Sequence, residues 1–388
     1  MNTVCEMDQC AGCMACIDIC PKNAIKIVDS LKSYNAVIDE SKCINCHACH
    51  QVCQNNILPE CKNPAQWKQG WAENKKIREK CSSGGLATAI ASSFIEHGGI
   101  VWGCVFRNGE FKFESAEKIC ELEKFVGSKY VKSNPAGVYK SIKSVLKTGK
   151  KNLFIGLPCQ VAALKRYVGK NLEDKLYTID LICHGTPSPH VLEIFLNQYN
   201  QSLKDLTDIR FRSKAKFMLY GNYKGIITNG VSDKYSIAFL NSLTYTENCY
   251  NCKYAQEKRV SDLTLGDSWG TALSIQEQKN GVSLILCQTS KGVEMLNSSD
   301  IHLEDVDIKN AVENNHQLKH PSIKPKGRTD FFSNLNKISF NKLVFKNFPR
   351  LCLKQDLKEF LIKIRIIRGG GKKFLNYEIY TVNNIKRK

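Results

Sequence analysis

Eight of the nine cysteines in the first 53 residues fall into two runs of one spacing: Cys10-x2-Cys13-x2-Cys16-x3-Cys20-Pro21 and Cys43-x2-Cys46-x2-Cys49-x3-Cys53. Three thiolates on a tight loop reach three irons of one cubane, and the fourth, just beyond the loop, points towards the other cubane. The spacing predicts one set made of Cys10, Cys13, Cys16 and Cys53, and a second made of Cys43, Cys46, Cys49 and Cys20. Cys-x2-Cys pairs also suit structural zinc, but zinc motifs usually take two ligands per loop rather than three and a crossed fourth. One position departs from the pattern: Gln54 follows Cys53 where a proline is usual.

Four further cysteines raise the question of a third set. Cys249 and Cys252 form another Cys-x2-Cys pair, which needs two more donors to close a four-thiolate site. Cys159 in "LFIGLPCQVAAL" and Cys183 follow apolar runs that read as strands, 153–157 and 176–183, and the C-terminal ends of such strands are where open α/β sheets bind ligands. Spacing alone leaves these four between a metal site and ordinary buried thiols. Two polar segments also stand out. Ser82 to Gly85 form a small-residue turn ahead of Leu86–Ile95, which has helical spacing; its backbone N–H groups either face an anion or only cap a helix. The stretch "VGSKYVKS" at 126–133 puts Lys129 and Tyr130 in a loop, where the lysine either faces a cofactor phosphate or lies on the surface.

The elements that must position these residues read as follows. A strand at 100–106, the two strands named above, and helical patterns at 135–148 and 188–199 alternate as an α/β core does. Residues 61–80 are polar and charged with no clear strand pattern, and read as a linker. At 388 residues there is room for two or three domains. No run of eighteen apolar residues occurs, and the start "MNTVCEMDQC" lacks a basic and apolar leader, so the expected location is cytoplasmic. In a reducing compartment 19 cysteines point to metal or redox chemistry rather than disulfides. The net charge of +19 is uneven: residues 1–60 hold four lysines against seven acids, and residues 319–388 hold eighteen basic residues against four acids. The tail segment "FNKLVFKNFPRLCLKQDLKEFLIKIRIIR" places Leu353, Leu357, Phe360, Leu361, Ile364 and Ile367 mostly on one helical face. That face either packs on the protein or touches an anionic membrane surface.

With these residues in place, the chain resembles the beta subunit of coenzyme F420-reducing hydrogenase and dehydrogenase, in the bacterial branch with a fused N-terminal two-cluster ferredoxin. The matching pieces are "SSGGLATAIA", "HGGIVWGCVF", "VGSKYVKS", "GLPCQVAALK", "DLICHGTPSP", "IRFRSK" and "CYNCKYAQEKRVSDLTLGDSWG", and the resemblance spans residues 1 to about 330. The expected fold is α+β. It comprises a small two-[4Fe-4S] ferredoxin-like domain over 1–60, the linker 61–80, an α/β flavin- and iron–sulfur-binding domain over 81–330, and a basic, partly helical extension over 331–388. The resemblance implies FAD against Ser83, Gly84, Gly85, Ser128 and Lys129. It also implies a [4Fe-4S] cluster on Cys159, Cys183, Cys249 and Cys252, making three clusters in all. Cys5, Cys61, Cys81, Cys104, Cys120, Cys287 and Cys352 are left as packing or surface residues.

Three departures from the family qualify this. Leu157 stands where a threonine is common, no arginine directly precedes the Cys249 pair, and "HGTPSP" after Cys183 is absent from the archaeal F420 enzymes. His184 is then either a catalytic proton donor or a residue that holds its loop. Asp267 and Trp269 fall near the family's cofactor region. The implied function is an FAD-dependent iron–sulfur oxidoreductase, passing electrons between clusters and FAD to reduce or oxidise a deazaflavin such as F420 or another organic substrate. The alternative is a non-catalytic electron-transfer subunit docked on a partner oxidoreductase. Expected partners are an electron donor or acceptor protein, such as a ferredoxin or a hydrogenase or dehydrogenase subunit. No nucleic acid is expected, and the basic tail offers a peripheral membrane contact.

Overall fold

The structure is a computed structural model that describes residues 2–366 except 222, 223 and 229. The chain begins with a small domain in which each cysteine run wraps into a left-handed turn. Met14 and His47, at φ 62° and 57°, precede the short helices Ala15–Ile19 and Ala48–Val52. Between them a hairpin of β1 (Ile25–Asp29) and β2 (Tyr34–Ile38) pairs antiparallel.

The strands that follow are β3 (Gln66–Ala72), β4 (Ile100–Arg107), β5 (Glu110–Ala116), β6 (Asn152–Gly156) and β7 (Leu176–Leu181). A small separate sheet is built from β8 (Arg210–Ser213), β9 (Lys216–Gly221) and β10 (Lys224–Gly225). With β11 (Leu263–Asp267), β12 (Ser283–Cys287) and β13 (Ile301–Asp305), the chain returns to a mixed eight-stranded sheet of order β13-β3-β12-β11-β7-β6-β4-β5. Its centre is parallel, with β11 on β7, β7 on β6 and β6 on β4, and both flanks are antiparallel.

Central parallel strands are covered on both faces, so they read as continuous apolar runs. One face packs Leu86 and Ile90 of the helix Leu86–Glu96 with Met295 against Leu153, Ile179 and Ile285. The other packs Ile142, Val161 and Leu164, from the helices Val138–Lys147 and Pro158–Val168, against Phe154. This second core continues into the N-terminal domain through Ile25, Val52, Cys13 and Cys16.

Two expectations change. The stretch 61–80 is not a linker: it carries β3, which pairs with β12 and β13 inside the large sheet, and the helix Lys75–Lys80. Its polar residues are satisfied there; Gln69 is buried and accepts hydrogen bonds from the hydroxyls of Ser268 (2.8 Å) and Thr271 (2.7 Å). The segment from 331 is also not simply an extension, because Phe331, Phe340, Leu343, Val344 and Cys352 are buried in a core with Phe195 and Tyr235. The next helix, Pro349–Lys363, does leave Leu353, Leu357 and Phe360 exposed. Ile367 and the rest of the basic tail lie outside the described residues. Among the described residues no helix is long and apolar enough to cross a membrane.

Candidate functional site

The structure brings cysteines of the two N-terminal runs near one another across the runs. Cys20 lines one pocket with Cys43, Cys46 and Cys49, beside Ile25 and Ile38. Cys10, Cys13, Cys16 and Cys53 are buried together, and Cys53 acts electrostatically on both Cys13 and Cys16. Backbone N–H groups are aimed at sulfur in both loops: Gly12 donates to Cys10 Sγ and Asn45 to Cys43 Sγ, each at 3.4 Å, and Ala24 donates to Cys20 Sγ at 3.3 Å. Such donors stabilise sulfur that carries negative charge.

Cys5, expected to be a packing or surface residue, is buried in the core. Its thiol lies against Cys10 and Cys53, and hydrogen bonding to Cys10, with burial adding to it, pushes it up to about 11.

The four distant cysteines also meet. Cys159 opens the helix Pro158–Val168 just past β6, Cys183 follows β7, and Cys249 and Cys252 come from a turn at 247–251 and the residue after it. Together they line a cavity of about 390 Å³ whose other residues include Ala11, Gln54, Lys132 and His184. Thr186 N–H donates to Cys249 Sγ at 3.4 Å. Burial pushes the Cys159 thiol well above its ordinary range, Cys183 up to about 12 and Cys252 up to about 11. Iron bound there must displace those protons, as metal binding to thiols generally does.

Among the described residues no three His, Cys, Asp or Glu side chains are placed to hold one metal ion. A cubane instead spreads its four thiolates over four irons, so an all-cysteine set around a cavity suits it.

The loop that brings Cys249 and Cys252 is fixed by Arg259, although no arginine precedes the pair. Arg259 and Asp180 form a fully buried ion pair at 2.9 Å, and Arg259 Nη1 donates to the Tyr254 carbonyl at 2.7 Å. Tyr254 in turn donates its hydroxyl to Gln54 Oε1 at 2.5 Å. The glutamine that stands in place of the usual proline therefore joins the N-terminal domain to the third cysteine loop. The departure is visible in the sequence; its partner, 200 residues away, is not.

The residues expected to face FAD are neighbours. Ser128 N–H donates to Ser82 Oγ at 3.1 Å, so the small-residue turn and the loop carrying Lys129 adjoin. Ser83 Oγ donates to the Val282 carbonyl, and Gly84 N–H to Ser283 Oγ, both at 3.1 Å. A Cβ at Gly84 would meet the Gly70 carbonyl at 2.6 Å, which keeps the turn tight on β3 and β12. Gly85 is the left-handed residue before the helix Leu86–Glu96.

Lys129, expected either to face a cofactor phosphate or to lie on the surface, is half-buried. Its ammonium donates to the carbonyls of Phe125, Val126 and Gly127, and burial holds its pKa below the usual lysine range. The cations beside the turn are others: Arg212 Nη2 donates to the Ser82 carbonyl at 2.9 Å and Lys214 to the Ser83 carbonyl at 2.9 Å. Burial brings Lys214 down to about 8.

Arg212 also forms a two-pronged pair with Asp267 (2.6 and 3.0 Å), lies 3.4 Å from Tyr130 Oη, and packs over the rings of Phe217 and Trp269. Sequence reasoning missed it as a site residue, although it sits inside the "IRFRSK" piece of the resemblance. His184 lies between this group and the third cysteine set, edge-on to His316 at 5.5 Å between ring centroids. Burial, then the neighbouring His316, hold its pKa down at about 4, so the ring is neutral near pH 7.

Comparisons with known proteins agree with this organisation. Residues 9–57 match the 4Fe-4S dicluster domain, and residues 149–309 match the family model for the C terminus of the coenzyme F420 hydrogenase/dehydrogenase beta subunit. No curated protein matches the chain. A solved structure of the F420-reducing [NiFe] hydrogenase complex from Methanosarcina barkeri, studied by xenon derivatization, contains a similar chain at 18% identity. The match covers 74% of this chain and 92% of that one, with a TM-score of 0.46. The protein thus joins an N-terminal 4Fe-4S dicluster domain to a C-terminal domain of the coenzyme F420 hydrogenase/dehydrogenase beta-subunit family.

Proposed function

We propose that the protein is an iron–sulfur flavoprotein oxidoreductase with three [4Fe-4S] clusters and one FAD, which exchanges electrons with a deazaflavin or another organic substrate. The observation that carries this reading is the convergence of Cys159, Cys183, Cys249 and Cys252 on one cavity that Ala11, between Cys10 and Cys13, also lines. Bound clusters supply single electrons, and a flavin converts them to two-electron chemistry. The chain's own residues do the positioning: the buried first set stands between the second set and the third. Ser83, Gly84, Gly85 and Ser128 form the expected FAD edge. Arg212, Tyr130 and Asp267 bracket the same turn. Lys129 joins them only if its ammonium leaves its three carbonyls. His184 lines the cavity of the third set and is the candidate proton donor at its edge.

The test is anaerobic reconstitution, which is expected to yield about twelve irons and one FAD per chain (four irons per cluster). Cys159→Ser should lose about four irons and keep the other two sets. An unchanged iron count would return Cys159 to packing. A second reading, an electron-transfer subunit with no substrate of its own, is favoured by exposed Cys46 and Ile44 at the rim of the second set, a surface suited to a partner. Turnover of F420 or another organic acceptor by the isolated chain separates the two.

A further inference from the structure

Lys132 is 4% exposed, and among the described residues it forms no ion pair. Its ammonium donates to the Ala11 carbonyl at 3.0 Å and lies 5.2 Å from the centre of the Tyr34 ring. Its own backbone N–H is tied to the Pro187 carbonyl at 2.8 Å, just past Cys183, and it lines the cavity of the third cysteine set. One lysine therefore touches the loop of the first set and the rim of the third.

A buried ammonium with only a carbonyl and a ring face as partners is costly unless negative charge stands nearby. The path of the side chain is also built. Gly12, at φ +69°, lies where a Cβ would meet Lys132 Cδ at 2.8 Å and the Tyr34 ring at 2.9 Å. Glycine in the first loop thus leaves a channel for the lysine stem.

We infer that Lys132 is a fixed counter-charge shared by the first and third iron–sulfur sites, stabilising the reduced form of each and so easing electron passage between the two domains. The inference rests on the third cluster proposed above. In the step it assists, one electron leaves one cluster and enters the other, and no bond forms or breaks. A positive charge in a low-dielectric site favours the added electron, so it raises the reduction potential.

The experiment is a potentiometric titration, followed by electron paramagnetic resonance, of anaerobically reconstituted full-length protein as wild type, Lys132→Met and Lys132→Arg. The third-site signal is taken as the one that Cys159→Ser removes. In Lys132→Met with full iron, the third-site reduction equilibrium should fall at least tenfold, about 59 mV for one electron, while Lys132→Arg stays near wild type. A Lys132→Met protein that holds full iron and titrates at the wild-type potential overturns the inference. So does loss of iron from Lys132→Arg as well as Lys132→Met, since the charge would then be irrelevant and packing the whole role. If Cys159→Ser removes neither iron nor a signal, it is the third cluster that fails, whatever Lys132 does.

Discussion

The two N-terminal cysteine loops share one spacing and one backbone course, yet they live in different surroundings. In the first, Cys10, Cys13 and Cys16 are each 7% exposed, covered by the large domain. In the second, Cys46 is exposed and Cys43 and Cys49 are partly so. The left-handed position between the first two cysteines is Gly12 in one loop, against Lys132, and Asn45 in the other, facing solvent. A repeated motif thus supplies two similar cysteine sets, and packing makes one an inner site and the other an outer one. The lesson is directional: the large domain covers the first loop, and the second loop is left open to solvent.

The largest expected effect that tests this contrast is chemical. Under limited oxygen with a chelator and iodoacetamide, the reconstituted protein should lose about four irons first (one cluster), with alkylation of Cys43, Cys46 and Cys49 well ahead of Cys13, Cys16 and Cys159. Peptide mass spectrometry reads the order, and equal rates would break the inner–outer distinction. Next comes an exchange of the left-handed residues. Gly12→Asn should destabilise by about 2 kcal/mol from steric strain against Lys132 and the Tyr34 ring, whereas Asn45→Gly should stay within about 0.5 kcal/mol. Anaerobic urea unfolding measures both; similar losses would mean that the large domain does not press on the first loop.

A smaller effect is expected across the domain boundary. Tyr254→Phe removes the hydroxyl that Gln54 accepts and should cost about 1 kcal/mol. It should also raise hydrogen exchange in the 54–56 segment but not around Asn45; uniform exchange would count against the latch. The smallest effect concerns the exposed apolar face of the last described helix. Leu353, Leu357 and Phe360 changed to Ser should leave folding intact, because they are solvent-facing, but should weaken binding to anionic liposomes if the tail touches membranes. Unchanged liposome binding sinks that role. Substitution is the better probe, since truncation from residue 340 would also remove buried Phe340, Leu343 and Val344.

What was legible in the sequence was mostly local. The nearness of cysteines from the two N-terminal runs follows from spacings of two and three residues, and β4, β6 and the helix Leu86–Glu96 follow from apolar runs. The strand β3 was not legible, because "QWKQGWA" alternates poorly and its buried Gln69 is satisfied by hydroxyls from distant loops. The third set needed two strand ends and a turn to be placed together, which spacing left open and the family resemblance suggested. Lys132 and the Gln54–Tyr254 pair went unread for the same reason: each acquires its role only from a partner far away in sequence. Lys132 stands three residues after Lys129 in the same loop, and only its distant partner, the Ala11 carbonyl, sets it apart.

The placement of β3 bears on how the protein is made. Its neighbours β12 and β13 arrive more than 200 residues later, as Gly70 opposite Ser283 shows. A ribosome must therefore deliver most of the chain before this flank of the sheet can close, and non-local pairing of this kind is slow. The cysteine loops emerge long before that, so they stay uncovered while the helices that bury the first loop are still being synthesised. The inner site, sealed in the finished protein, has its widest access during translation.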